Sequence, residues 1–496
     1  MIHSMEKFLL DSKKITVLFL MVFLFSACKD WLEVPPEKDL VKNDFWKKTE
    51  DVNNALAATY SSFRDAALES FVWGELRADL IMGFPGDYAQ IAGSDINPTN
   101  PVIYWSKYYK TINLANTLMY YDTEVLANDQ SFTQKMKEGI DAEALFLRSL
   151  CYFYLVRIWK NVPLIINPSI SDTCDIYPPI SDESEIIKQI TSDLLYAKDI
   201  ANTTEFQSNP AYFKGRANKY AIMALLADVY LWNQQYQKCI DYCDSITNSG
   251  LYSLLPADSW FTIYNPGNSN ESIFEIQCRD DQTTDQANTL FYAVAPTWTV
   301  FINLANGRTV LNYNDKYSSL FTDASDIRTC NGKTPIWKYM GITVDDNLRR
   351  SPISERDLNF FYYRYADVVL MKAESLNELG RVSEALDYVN LTYTRAVGQP
   401  ITGISDQATM RNVILDERAK EFILEGKRWF DLLRAAKRNS FEQKEYVTQV
   451  ILDNADARSK DVIESQVNDT MMYYLPVSYD ELKRNKNLKQ NPFYER

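Results

Sequence analysis

The sequence predicts a mostly α-helical protein: tetratricopeptide-like helical hairpins forming a scaffold, with a loop-rich face and a few short strands. Three observations carry this. Residues 363–397 place Val369, Ala373, Leu376 and Leu379 at helical spacing. Gly380 then breaks the run, and Ala385, Val389 and Tyr393 restart it at intervals of four. A helix, a short Gly-containing turn and a second helix with small residues at the crossing make an αα-hairpin. Residues 215–246 repeat the pattern, with Ala221, Ala224, Leu225, Ala227 and Leu231 before a turn at 233–236 and a second amphipathic helix after it. The stretch 280–360 differs, being rich in Asn, Asp, Thr and Pro with no helical period.

Taken in order, the chain opens with a targeting segment. Lys7, Lys13 and Lys14 precede the apolar run Ile15–Phe25, which is short for a membrane span. Phe25-Ser26-Ala27-Cys28 then resembles a bacterial lipoprotein cleavage box, with bulky Phe25 where an aliphatic residue is usual. We expect residues 1–27 to be a lipoprotein signal peptide. Cys28 would be the acylated N-terminus and 28–44 the lipidated tether. An ordinary secretory signal is the alternative. Residues 45–496 read as one α-helical domain.

Thr49 is the expected cap of a first helix running to about Phe63. Residues 71–79 (FVWGELRAD) lead into the turn-rich 82–88 (MGFPGDY). Helices follow over 103–121 and 141–160, the latter ending before Pro163 because proline cannot continue a helix. Pro178-Pro179 marks a connector, and 184–200 is helical again. Residues 272–276 (SIFEI) alternate as a short strand. Residues 411–434 (RNVILDERAKEFILEGKRWFDLLR) read as one helix with Leu415, Ala419, Phe422 and Ile423 facing inward. Its Glu417, Glu421 and Glu425 repel at that spacing unless basic groups intervene, so they read as a structural ion network. The tail from 473 has no helix-long period and should lie extended across the scaffold.

The 496-residue chain is 46% hydrophobic, with a formal net charge of −14. That balance argues against a nucleic-acid binder and against electrostatic adhesion to anionic lipid. Its one His is His3. Loss of residues 1–27 leaves none, which removes His-based acid–base catalysis and His-ligated metals. Cys151, Cys174, Cys239, Cys243, Cys278 and Cys330 are too sparse for a disulfide framework in a chain this long. Cys239 and Cys243 share an apolar stripe with Tyr236 and Ile246 and read as buried small hydrophobes.

Seven segments in order resemble those of the SusD/RagB family of surface lipoproteins from Bacteroidetes. They are 75–79 (ELRAD), 142–165, 216–232, 271–277 (ESIFEIQ), 364–380 (RYADVVLMKAESLNELG), 417–434 and the closing YLPVSYDELKRNKNLKQNPFY. Asn161 stands where that family commonly has Gly, and residues 29–33 only partly match its acidic export signal. The resemblance implies a mostly helical fold whose loop-rich face binds the ligand, with 280–350 as an irregular insertion on that face. It implies a non-catalytic, outer-membrane, lipid-anchored protein facing the cell exterior. Such a protein would capture an oligosaccharide, or in some members a peptide, and act as a lid over a TonB-dependent, SusC-like transporter.

Ligand contacts are expected from stacking rings and planar polar groups: Trp73, Arg77, Asp79, Tyr88, Trp298 and Trp337. Arg77 and Asp79 read equally well as a structural ion pair. No cofactor is expected. Calcium could enter the Asp/Asn-rich 265–350 region, but no ordered ligand loop for it is present. Two other readings stay open at this point: a glycoside hydrolase working with two carboxylates, and a repeat scaffold binding only protein.

Overall fold

The computed structural model describes residues 45–82, 86–170, 177–277, 302–303, 308–309, 312–328, 338 and 359–495. Its helices are α1 (Thr49–Asp65), α2 (Ala67–Glu75), α3 (Asp87–Ala92), α4 (Ser106–Asn128), α5 (Gln134–Trp159), α6 (Glu183–Ile200), α7 (Pro210–Gly215), α8 (Lys219–Trp232) and α9 (Tyr236–Thr247). α10 (Asp315–Leu320) lies within the insertion, and after it come α11 (Tyr365–Glu378), α12 (Val382–Val397), α13 (Gln407–Phe422), α14 (Arg428–Phe441), α15 (Glu445–Asn454), α16 (Lys460–Gln466) and α17 (Tyr479–Arg484).

The long helices stack as consecutive neighbours: α1 on α4, α4 on α5, α5 on α6, α6 on α8, α8 on α9, α9 on α11, and α11 on α12 and α13. This is the solenoid arrangement expected of stacked hairpins, in which each unit buries the face its neighbour exposes. Small residues set the crossings. Ala221, Ala224 and Ala227 of α8, Ala373 of α11 and Ala385 of α12 are fully buried. Cys239 and Cys243 are buried free thiols within this stack, as expected of small hydrophobes. Leu379 departs from the expected stripe: it caps α11 and is 43% exposed.

A second layer packs on the solenoid. The antiparallel strands Ser272–Ile276 and Phe360–Arg364 pair with Ser272 opposite Arg364, and both are buried throughout. The tail lies across α5. Leu475 N donates to Ile158 O at 2.8 Å, and Trp159 Nε1 donates to Pro476 O at 2.9 Å. The tail carries short helical turns rather than being wholly extended.

Two expectations are corrected. Thr49 is the first helical residue, not the cap. Asp51 accepts from Lys48 N at 2.8 Å, and the Thr49 hydroxyl donates to Asp129 at 2.8 Å. The stretch 411–434 is not one helix. It breaks between α13 and α14, where Leu424 and Gly426 adopt φ of 66° and 71°. The break lets this turn cross α2 at backbone contact. A Cβ on Gly74 would lie 1.8 Å from Gly426 O, and Glu75 Oε1 accepts from Gly426 N at 2.9 Å. Helical period alone could not reveal a constraint that comes from another segment.

The three glutamates do form a structural ion network, but their main partners come from elsewhere in the chain. Glu421 meets Arg328, Arg364 and Arg395, the first two at 3.1 and 2.6 Å. Glu417 accepts from Arg328 at 2.9 Å, and Glu425 from Arg364 at 3.0 Å and Lys338 at 2.5 Å. All are buried. Burial raises the Glu421 carboxyl, but the three arginines outweigh it and hold it well below its ordinary value. Arg328 and Lys338 lie in the 280–350 insertion, so the network ties these two residues of it to the scaffold.

Candidate functional site

Of the six residues expected to meet ligand, three lie inside the scaffold. Trp73 is buried, stacks on Tyr108 at 5.2 Å and meets the edge of Trp159 at 4.9 Å. Arg77 is buried, donates to Tyr473 O at 2.8 Å and Met472 O at 3.0 Å, and lies 4.3 Å over the Trp429 ring. Asp79 accepts two bonds of 2.7 Å from Arg428. Arg77 and Asp79 are therefore both structural, though their partners are the tail and α14 rather than each other. Arg77 anchors the tail, and Asp79 joins α14 to the segment after α2. A motif read along the chain could not distinguish these long-range partners from a ligand. Trp298, Trp337 and Cys28 lie outside the described residues.

Of the four that are described, Tyr88 lines an open hollow of about 550 Å³. Three segments build it. α2 presents Glu69 and Val72, the start of α3 presents Asp87 and Tyr88, and residues 101–107 present Val102, Tyr104 and Lys107. Local sequence sets the loop. Asn100 is buried, accepts from Val102 N at 2.8 Å and donates to Asp87 O at 2.9 Å, fastening α3 to residues 100–104. Trp73 supports the floor from below, with Nε1 3.4 Å from Val102 O.

The lining is mixed. Tyr88 is half-buried. Burial raises its hydroxyl above the ordinary value, helped by nearby Glu69 and Asp87, so it stays a neutral donor at pH 7. Tyr104 donates to Asp480 Oδ2 at 2.9 Å, and that bond raises its hydroxyl too. Lys107 and Glu69 form an ion pair at the wall, with the lysine side chain 43% exposed. Rings beside a donor–acceptor pair suit a ligand with flat apolar faces and hydroxyl edges. The sequence reading missed Tyr104, Lys107, Glu69 and Asn100. The signal was there for Asn100, in the turn-rich run Asn97-Pro98-Thr99-Asn100-Pro101.

The insertion reaches the same neighbourhood. Ile81–Met82 pairs antiparallel with Asn312–Tyr313, Ile81 opposite Tyr313, and Asn314 N donates to Leu80 O at 3.3 Å. The loop after α2 and the 280–350 insertion thus adjoin. Among the described residues no group of three His, Cys, Asp or Glu side chains is placed to hold a metal, and no helix is long and apolar enough to cross a membrane.

Comparison with known proteins follows the same lines. A family profile described as "Starch-binding associating with outer membrane" matches residues 30–231. A SusD-like protein of Formosa agariphila is 27% identical over 492 residues, covering 87% of this chain and 93% of that one. A SusD-like protein of Bacteroides ovatus is 26% identical, covering 85% of this chain and 82% of its own length. Among solved structures, a SusD superfamily protein of Bacteroides fragilis superposes with a TM-score of 0.72 at 21% identity. It covers 90% of this chain and 99% of that one. B. fragilis NanU superposes at 0.70 with 22% identity, covering 92% and 99%. SusD-like proteins are carbohydrate-binding proteins of nutrient uptake and are generally non-catalytic. A second profile, described as "SusD family", matches residues 223–494, more than half of the chain, and the chain belongs to that family.

Proposed function

We propose that this protein is a non-catalytic nutrient-binding lipoprotein of the outer membrane, anchored through acylated Cys28. It captures an oligosaccharide and delivers it, as a lid, to a TonB-dependent, SusC-like transporter. The observation that carries the reading is the hollow beside α2, where Tyr88, Tyr104 and the Lys107–Glu69 pair line an open volume of about 550 Å³. Ring faces stack on sugar rings, and the ion pair offers a donor and an acceptor to adjacent hydroxyls. The carboxylates most suggestive of hydrolysis, Glu417, Glu421 and Glu425, are buried in ion pairs and do not face this hollow.

Titration of the purified protein against glycan and peptide libraries tests the proposal. Binding should fall on one glycan class and weaken about tenfold or more in Tyr88→Ala and Tyr104→Ala, since losing a stacking ring removes about 1–3 kcal/mol. Binding of peptides alone would replace the oligosaccharide by the peptide reading. Turnover that disappears on changing one carboxylate would sink the non-catalytic assignment.

A further inference from the structure

A second, larger groove of about 1010 Å³ lies between α1, the start of α5, the 202–206 loop and α7. It shares none of its lining residues with the hollow beside α2. Leu56, Ala57, Met136 and Ile140 give it an apolar floor, and Tyr60, Phe206 and Tyr212 supply rings. Tyr212 is 51% exposed, and its ring and that of Phe206 each lie against Arg216, at 5.3 and 4.8 Å. Asn53, Asn202 and Gln277 add amides along the edge.

The charges in this groove are unequal. Arg216 is held by Glu143 through bonds of 2.6 and 2.9 Å. Lys135 is matched by Glu205 at 3.3 Å. Arg64, also in the lining, meets no carboxylate among the described residues. Among the described residues its side chain makes one hydrogen bond, a long 3.4 Å contact to Ser61 Oγ, and its Nε is buried with no acceptor. A guanidinium with no carboxylate partner beside an open groove can take an anion, and its planar fork fits a carboxylate. In a chain of net charge −14 a spare cation beside ring faces and amides is selective rather than generic.

We propose that this groove is a second ligand site, for a saccharide chain bearing carboxylates, such as one built of uronic acids. Rings of the chain lie on Tyr60 and Tyr212, amides meet its hydroxyls, and Arg64 takes a carboxylate. The site is independent of the hollow beside α2, and neither depends on the other's ligand.

Calorimetric titration of the full chain with oligogalacturonate, with the same oligomer after carboxyl reduction as control, tests this. Saturable binding is expected for the acid form and at least tenfold weaker binding for the reduced form. Binding should weaken with salt, drop about tenfold in Arg64→Ala and in Tyr212→Ala, and persist in Tyr88→Ala. Arg64 holds no ion pair, so its removal should leave the thermal midpoint unchanged, and Arg64→Lys should restore part of the affinity. Absence of binding to the acid oligomer overturns the proposal. So does binding lost in Tyr88→Ala but kept in Arg64→Ala, which would place the ligand beside α2. Arg64-dependent binding of acidic peptides in place of the saccharide overturns it in favour of a peptide site.

Discussion

At the scale of single residues, function and stability are separated by burial. Tyr88 and Tyr104 line the hollow, Trp73 supports its floor from inside, and Arg77 anchors the tail. The tightest constraint is Gly74. A Cβ there overlaps Gly426 O, a backbone atom that cannot rotate away. Gly74→Ala should cost about 3 kcal/mol or more, read as a fall in the urea midpoint; an unchanged midpoint would show that the crossing is looser than described. Glu75 next to it makes a pH prediction. Burial raises its carboxyl from 4.5 to about 8, against the opposing Gly426 N–H bond and Lys338. The folded state therefore binds the proton more tightly than the unfolded chain. Its stabilising effect is complete below pH 4.5 and is lost as pH rises through 8. Glu75→Gln keeps the acceptor for Gly426 and removes the titration. The variant should gain stability relative to wild type between pH 5 and 8, measured by thermal unfolding across that range. The opposite trend would mean that Glu75 is charged when folded.

At the scale of elements, caps and ion networks decide where helices begin and stop. Asn218 opens α8 by accepting from Tyr220 N and Ala221 N at 2.9 and 3.1 Å, in a buried setting. Asn218→Ala should cost about 1–2 kcal/mol, measured by chemical denaturation, and Asn218→Asp should keep the cap but lose the Nδ2 bond to Phe213 O at 3.2 Å. Arg364 starts α11 and binds Glu271, Glu421 and Glu425 at once. Arg364→Met leaves buried carboxylates without their cation and should cost about 3–5 kcal/mol. Loss should be largest near neutral pH, because neighbouring cations hold Glu421 and Glu425 below their ordinary value, and a cost below 1 kcal/mol would show that Lys338 and Arg395 suffice.

At the scale of the whole molecule, the stacked helices bury one another's faces, so surface loops can vary without disturbing the stack. The membrane attachment proposed above belongs to this scale. Cys28→Ser should move the protein from the membrane pellet to the soluble fraction and abolish acyl mass on the mature N-terminus. Affinity purification of the wild type in mild detergent should bring down an outer-membrane barrel; recovery of the protein alone would remove the transporter from the proposal.

Much of this was legible in the sequence. The hairpins at 215–246 and 363–397 carry their period and turn within one short window, so local reading finds them. The same holds for the buried thiols and the strand at 272–276. Local reading could also see that Glu417, Glu421 and Glu425 need cations, because like charges one turn apart repel. Which cations they meet was decided only by tertiary structure, because Arg328, Arg364 and Arg395 are distant along the chain. The break at Gly426, the burial of Trp73, Arg77 and Asp79, and the meeting of Tyr88 with Tyr104 have the same origin. The sequence by itself determined the scaffold and the family, because helical period and small-residue crossings are local. Where the ligand hollows lie was decided by contacts between segments far apart, which leave no period to read.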